Sequence, residues 1–243
     1  MEAAEGLALP GVRAEVGGFA WPARLSQYAI EITTHVLLMR HADVENPHRV
    51  LYGHLPGFHL SALGRAQATA VGKTLRDRGI RRILHSPLER AKETAQLVNA
   101  QLPAPVPLIP DSKLIEAEFG RYLQGVKYWA VPIMRPLWFI HKIRRGVLPF
   151  DESIQEMGDR VLSVVYSLAR DHPGETSLCV SHADPIAAAR VVLEHRKRNE
   201  AQLTRTMVAR ASVFDIEFDG DRVTSVHYER PPKRDQLALM PES

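Results

Sequence analysis

Val36-Leu37-Leu38-Met39-Arg40-His41 is a run of four apolar residues followed without a break by an arginine and a histidine. Such a run reads as a strand buried on both faces, as strands of a covered parallel sheet are, ending with two polar side chains at its carboxyl edge. In open α/β sheets, ligands bind beyond that edge. Outward from this stretch, the arrangement recurs twice. Ile80 to Leu84 predicts a second strand feeding His85-Ser86-Pro87, and Ser177 to Val180 predicts a third feeding Ser181-His182-Ala183-Asp184. Helical spacing lies between them. One helix is capped by Ser61 and runs through Leu63, Ala66, Ala70, Val71 and Leu75 to stop near Gly79, and a second starts with Pro87 and runs through Leu88, Ala91, Ala95 and Val98. Two more span Ile154 to Asp171 and open at Pro185. Strands alternating with helices predict a three-layer α/β/α architecture with a mostly parallel central sheet. Ser212 to Phe218 and Arg222 to Tyr228 alternate apolar and polar around Asp219-Gly220-Asp221, the signature of a hairpin that adds antiparallel strands at an edge.

With 243 residues and 45% apolar content the chain can bury one large core. Residues 1–32 read as an N-terminal extension, 33–230 as a single domain with an insertion at 121–150, and 231–243 as a loose tail. Thirty-one basic against 28 acidic side chains leave a net charge of +3, too small a surplus to argue for nucleic acid but compatible with an anionic substrate. A phosphorylated small molecule is the expected partner. The single cysteine, Cys179, has no internal disulfide partner and sits in an apolar run as a core residue. Met1-Glu2-Ala3-Ala4-Glu5 lacks the charge and apolar run of a secretory signal. The most hydrophobic tract, Trp129 to Ile140, is cut by Pro132, Arg135 and Pro136 and is too short to span a bilayer. A soluble, cytoplasmic protein is expected, with homodimer among the oligomeric states left open.

Phosphoryl transfer needs a nucleophile in line with phosphorus, donors around the equatorial oxygens and a proton for the leaving oxygen. Arg40 and His41, Ser86 and Arg90, and His182 all follow carboxyl ends of predicted parallel strands, so the fold gathers them in one crevice. Taken singly, Arg90 between Glu89 and Glu93 reads as part of a solvated helix face, and His182 as a capping or buried hydrogen-bonding residue. Their convergence outweighs those readings.

The motif Leu37-Leu38-Met39-Arg40-His41-Ala42 resembles the Arg-His-Gly signature of the histidine phosphatase superfamily, also called phosphoglycerate mutase-like. Further matches follow in the family's order: Leu60-Ser61-Ala62-Leu63-Gly64-Arg65, Ser86-Pro87-Leu88-Glu89-Arg90-Ala91-Lys92-Glu93-Thr94-Ala95, Leu114-Ile115-Glu116-Ala117-Glu118-Phe119-Gly120 and Val180-Ser181-His182-Ala183-Asp184. The resemblance covers roughly residues 34 to 230 and implies His41 as a nucleophile that becomes phosphohistidine, with Arg40, Arg90, His182 and Asn46 on the phosphate. It implies Glu116 as the leaving-group acid, with Asp184 as the alternative, and no metal or cofactor. Ala42 stands where the family has glycine, so no positive φ is expected there. Leu123-Gln124-Gly125 replaces the family's Trp-Glu-Gly, so contacts beyond the phosphate are expected to differ. Asp151-Glu152-Ser153 resembles the phosphatase-like branch, and a phosphatase acting on a phosphate monoester is the favoured reading. A phosphoglycerate mutase-type phosphomutase and a catalytically weak phospho-ligand binding module are the alternatives.

The insertion fits neither sheet nor covering helix by pattern. Tyr128 and Trp138 supply aromatic surface and Arg144 and Arg145 positive charge, a combination suited to capping the site and gripping a substrate's organic part and any second acidic group. A packed excursion and an interfacial membrane patch are its two other readings.

Overall fold

The first strand, β1 (Thr33–Arg40), lies inside a six-stranded sheet of order β3-β2-β4-β1-β5-β6. The computed structural model describes residues 33–148 and 151–231, so the expected extension at 1–32 and the tail beyond 231 fall outside the described residues. β2 (Ile80–His85), β3 (Leu108–Pro110) and β4 (Thr176–Ser181) run parallel to β1, whereas β5 (Val213–Asp219) and β6 (Arg222–Glu229) form the antiparallel hairpin. The hairpin extends the sheet at one edge, as expected. β5 pairs with β1 along Thr33 to Met39, and only β6 is the outer strand. Phe214, Ile216 and Phe218 of β5 share one face and are buried in the same core as Val36 and Leu38.

The apolar run of β1 serves two cores. Leu37 and Met39 pack with Ala68, Val71, Ala91, Ala95 and Val98 from α1 (Ala62–Thr74) and α2 (Glu89–Asn99). Val36 and Leu38 face the opposite way, toward Val161, Val165, Ile186 and Ala189. Those residues belong to α6 (Ile154–Asp171) and α7 (Ala183–Leu193). This is the three-layer arrangement the periodicities predict. The insertion between the layers' helices folds as α3 (Gly120–Leu123), α4 (Val131–Met134) and α5 (Leu137–Ile143), and α8 (Glu200–Arg205) follows α7. Among the described residues, no helix is long and apolar enough to cross a membrane.

Two boundaries differ from the expected ones. α2 starts at Glu89 rather than Pro87, because Ser86 N–H donates to Val180 O (2.9 Å) and holds Ser86-Pro87 in the turn. α7 starts at Ala183, with Pro185 in its first turn, where a missing N–H costs nothing. β3 lies in the proline-rich stretch from Pro103 to Pro110 and is an outermost strand, where prolines are tolerated.

Candidate active site

The register sets Arg40 of β1 beside Ser181 of β4, and His85 of β2 beside Val180, so the carboxyl ends of three parallel strands stand side by side. His41, Ser86 and His182 are the next residue on each. His41 N–H donates to Ser181 O (2.9 Å), and its ring lies 5.1 Å from that of His182. Ala42 N–H donates to Thr94 Oγ1 (3.1 Å), and the Thr94 hydroxyl donates to Arg90 O (2.7 Å), fastening the loop after β1 to α2. Ala42 is buried and has no positive φ, as its occupancy of the glycine position predicts. The next contact is tighter. A Cβ on Gly64 would stand 2.0 Å from Asp43 O, so the Ser61-capped start of α1 can approach this loop only through glycine.

His41 is 1% exposed, and its Nδ1 lies 2.8 Å from Ala42 O. A carbonyl only accepts, so Nδ1 carries the proton and Nε2 keeps its lone pair. Burial, with the Arg90 and Arg40 guanidinia nearby, holds the imidazole well below its usual range. Burial and Arg90 do the same for His182, whose Nε2 pairs with Ser86 Oγ at 2.8 Å. Arg90 is 0% exposed although it sits on a helix. One guanidinium nitrogen donates to Gly53 O (2.8 Å), and the plane lies over the Tyr52 ring at 4.7 Å. Its Nε and Nη1, Arg40 Nε and His182 Nδ1 are buried without a protein hydrogen-bond partner. Each such atom costs about 1–3 kcal/mol. Several in one place form a concentration of donor capacity suited to an anion.

Glu116 Oε2 lies 3.9 Å from His182 Nδ1, and Oε1 accepts from Ala117 N–H (3.0 Å). Burial and the Asp184 carboxylate push the Glu116 carboxyl up, against the pull of Arg90. Glu118 points elsewhere, to Arg121. Asp184, the alternative acid, accepts from Arg145 (2.9 Å) and is engaged in an ion pair.

A cavity of about 460 Å³ opens from Arg40 and Glu116 toward the insertion, with Tyr52, Tyr128, Trp138 and Arg145 in its walls. Not every expected residue joins it. Both ends of the Asn46 amide bond Val50 (2.7 and 3.1 Å), so Asn46 closes its own turn and does not line the cavity. Arg144 is exposed and lies outside the lining. Arg145 lines it but is 5% exposed and held by Asp184 and Glu200, and Lys142 is held by Glu200. The expected grip of Arg144 and Arg145 on a second acid therefore lacks a free cation. Asp151 bonds His141 (2.9 Å), Glu152 pairs with Arg160, and Ser153 caps α6, so this trio packs and caps without lining the cavity. Sequence reading missed Tyr52 and Thr94, and the segment carrying Val208, whose carbonyl accepts from Arg40 (2.7 Å). Tyr52 and Val208 fall in irregular stretches without periodicity; Thr94 was inside a quoted motif yet had no role. Among the described residues, no group of three or more His, Cys, Asp or Glu side chains is placed to hold a metal ion.

The family model described as histidine phosphatase superfamily (branch 1) matches residues 36–230, and the chain belongs to that superfamily. An uncharacterised protein of Mycobacterium tuberculosis, Rv0525, is 38% identical over 82% of this chain and 96% of its own length. The uncharacterised phosphatase PhoE of Bacillus subtilis is 27% identical over 76% of this chain and 89% of its own. The structure of YhfR from Bacillus stearothermophilus superposes with a TM-score of 0.70 at 26% identity, covering 79% of this chain and 94% of that one. Relatives named for phosphatase and for phosphoglycerate mutase both occur.

Proposed function

We propose that the protein is a phosphatase that hydrolyses a phosphate monoester through a phosphohistidine on His41. The observation that carries this reading is the buried His41 with its proton fixed on Nδ1, among arginine and histidine donors that no protein group satisfies. Nε2 attacks phosphorus, forming the N–P bond as the P–O ester bond breaks. Arg40, Arg90 and His182 Nδ1 hold the equatorial oxygens, where charge-assisted bonds strengthen as negative charge spreads. Glu116, whose raised pKa favours the protonated form, gives its proton to the leaving oxygen. The resulting carboxylate then takes a proton from water, which attacks phosphorus, releases inorganic phosphate and restores His41 and the protonated acid. Water as acceptor is supported by the cavity wall. Leu51, Leu123, Val131 and Trp138 line it and the insertion's cations in that wall, Lys142 and Arg145, are already paired, which favours an apolar organic group over a second acid such as a mutase must hold through reorientation.

Rapid quench with a phosphate monoester tests this reading. An acid-labile, base-stable phosphoenzyme is expected, absent from His41→Ala, whose turnover should fall by about four orders of magnitude or more. Full activity in His41→Ala refutes the assignment.

A further inference from the structure

The stretch from residue 119 to residue 150 contains six cations, Arg121, Lys127, Arg135, Lys142, Arg144 and Arg145, and no aspartate or glutamate. The three most exposed large apolar side chains among the described residues lie in it: Ile143 at 86%, Ile133 at 78% and Trp129 at 74%. Met134, Phe139, Ile140 and Val147 are exposed as well. The distribution is directional. At 100° per residue, Phe139, Ile140 and Ile143 fall within about 100° of one another on α5, opposite buried His141. α4 touches both α5 and the 3-10 turn Tyr128–Ala130, so the segments that carry exposed Trp129, Ile133 and Met134 are neighbours of α5. The inner side is packed in the ordinary way, with Val126, Ala130 and Val131 against Leu51, Leu123 and Trp138. A packed excursion accounts for that inner side and leaves the outer one unexplained.

Exposed apolar surface of this extent marks an interaction site, and charge identifies the occupant. Arg121 is tied to Glu118, and Lys142 and Arg145 to Glu200 and Asp184, but the other cations of the stretch have no carboxylate partner among the described residues. Lys127 and Arg144 are exposed, and Arg135 donates only to the neutral carbonyls of Tyr122 and Met134. A second copy would bring these like charges face to face across a two-fold axis. An anionic surface receives them, and an exposed tryptophan and isoleucines beside lysine and arginine match the boundary of a lipid layer.

We propose that the outer face of the insertion docks reversibly on an anionic lipid bilayer, the Trp129, Ile133 and Ile143 side chains entering the interface and Lys127, Arg135 and Arg144 lying over the headgroups. Docking is independent of the chemistry assigned to His41 and is measured without turnover.

The experiment is flotation of the full chain with vesicles of phosphatidylcholine alone or with added phosphatidylglycerol, at about 0.1 M salt and again at several-fold higher salt. Binding to the anionic vesicles is expected, weakened by salt and accompanied by a blue shift of tryptophan fluorescence that Trp129→Phe removes. Ile133→Asp with Ile143→Asp should lower partitioning about tenfold or more with unchanged thermal melting. Lys127→Glu with Arg144→Glu, which leaves the apolar side chains intact, should abolish the preference for anionic lipid. No partitioning at the lower salt, equal binding to neutral and anionic vesicles, or a dimer in light scattering that the isoleucine double variant splits would each overturn the proposal.

Discussion

Arg90 and Arg145 are both buried guanidinia near the same cavity, yet they are treated in opposite ways. Arg90 has one donor on Gly53 O, an aromatic ring beneath it and two nitrogens without a protein partner. Arg145 has Asp184 and Glu200 on its donors. The strand-end pole of the cavity thus keeps its positive charge uncompensated at a cost in stability, whereas the insertion side neutralises its buried cation and turns apolar groups inward. Only the first arrangement can discriminate an anion whose charge grows during reaction. The second selects by shape and hydrophobicity.

The widest contrast should come from removing each arginine. Arg90→Ala is expected to lower kcat by about two to three orders of magnitude, and Arg90→Lys to recover little, since a point charge does not replace a planar fork. Arg145→Ala leaves Asp184 without its partner and Glu200 with Lys142 alone, and should act mainly on stability, by about 3 kcal/mol. Steady-state kinetics on an aryl phosphate together with thermal melting separates the two. Equal losses of kcat would erase the distinction between the poles.

Glu116 sits at the junction of the regions, and its substitution sharpens the comparison. With Glu116→Gln, hydrolysis of alkyl phosphates should fall by about two orders of magnitude or more and that of aryl phosphates much less, because a good leaving group needs no proton. The pH profile follows from the shifts. His41 lies below its usual range and so remains neutral and nucleophilic at a pH where a free imidazole would take up a proton, while Glu116 lies above the usual carboxyl range and loses its proton as pH rises through that raised value. Activity on alkyl esters should therefore decline toward high pH, and Glu116→Gln should remove that limb. A limb that persists in the variant assigns the proton to another group.

The strand-end pole was legible in the sequence because the apolar runs fix the strands, and parallel strands bring their carboxyl ends together whatever their separation along the chain. His41, Arg90, Glu116 and His182 could be named on that basis together with the family motifs. The insertion was legible only as composition. Its cations and aromatics were visible, but which cations are paired depends on Asp184 and Glu200, which lie 39 and 55 residues beyond Arg145 and carry no local signal. Asn46 misled for a related reason. A side chain in a turn can satisfy its own backbone, and its bonds to Val50, four residues on, do that. The burial of β5 was likewise hidden, since a hairpin's pattern does not say which neighbour its first strand will join.

The smallest expected effect tests whether the insertion side selects by shape. Trp138 lines the cavity and packs with Val126, Ala130 and Val131, so Trp138→Ala removes apolar wall without touching a phosphate donor. If the leaving group rests there, kcat/KM for monoesters with bulky apolar groups should fall several-fold to about tenfold, the range expected for one or two buried methylenes, while a small alkyl phosphate changes little. The loss should appear in KM more than in kcat, because this contact is made equally in ground and transition states. A uniform loss across substrates together with a lowered Tm would instead mean that Trp138 only supports the insertion's packing, leaving leaving-group recognition to other lining residues such as Tyr52 and Phe119.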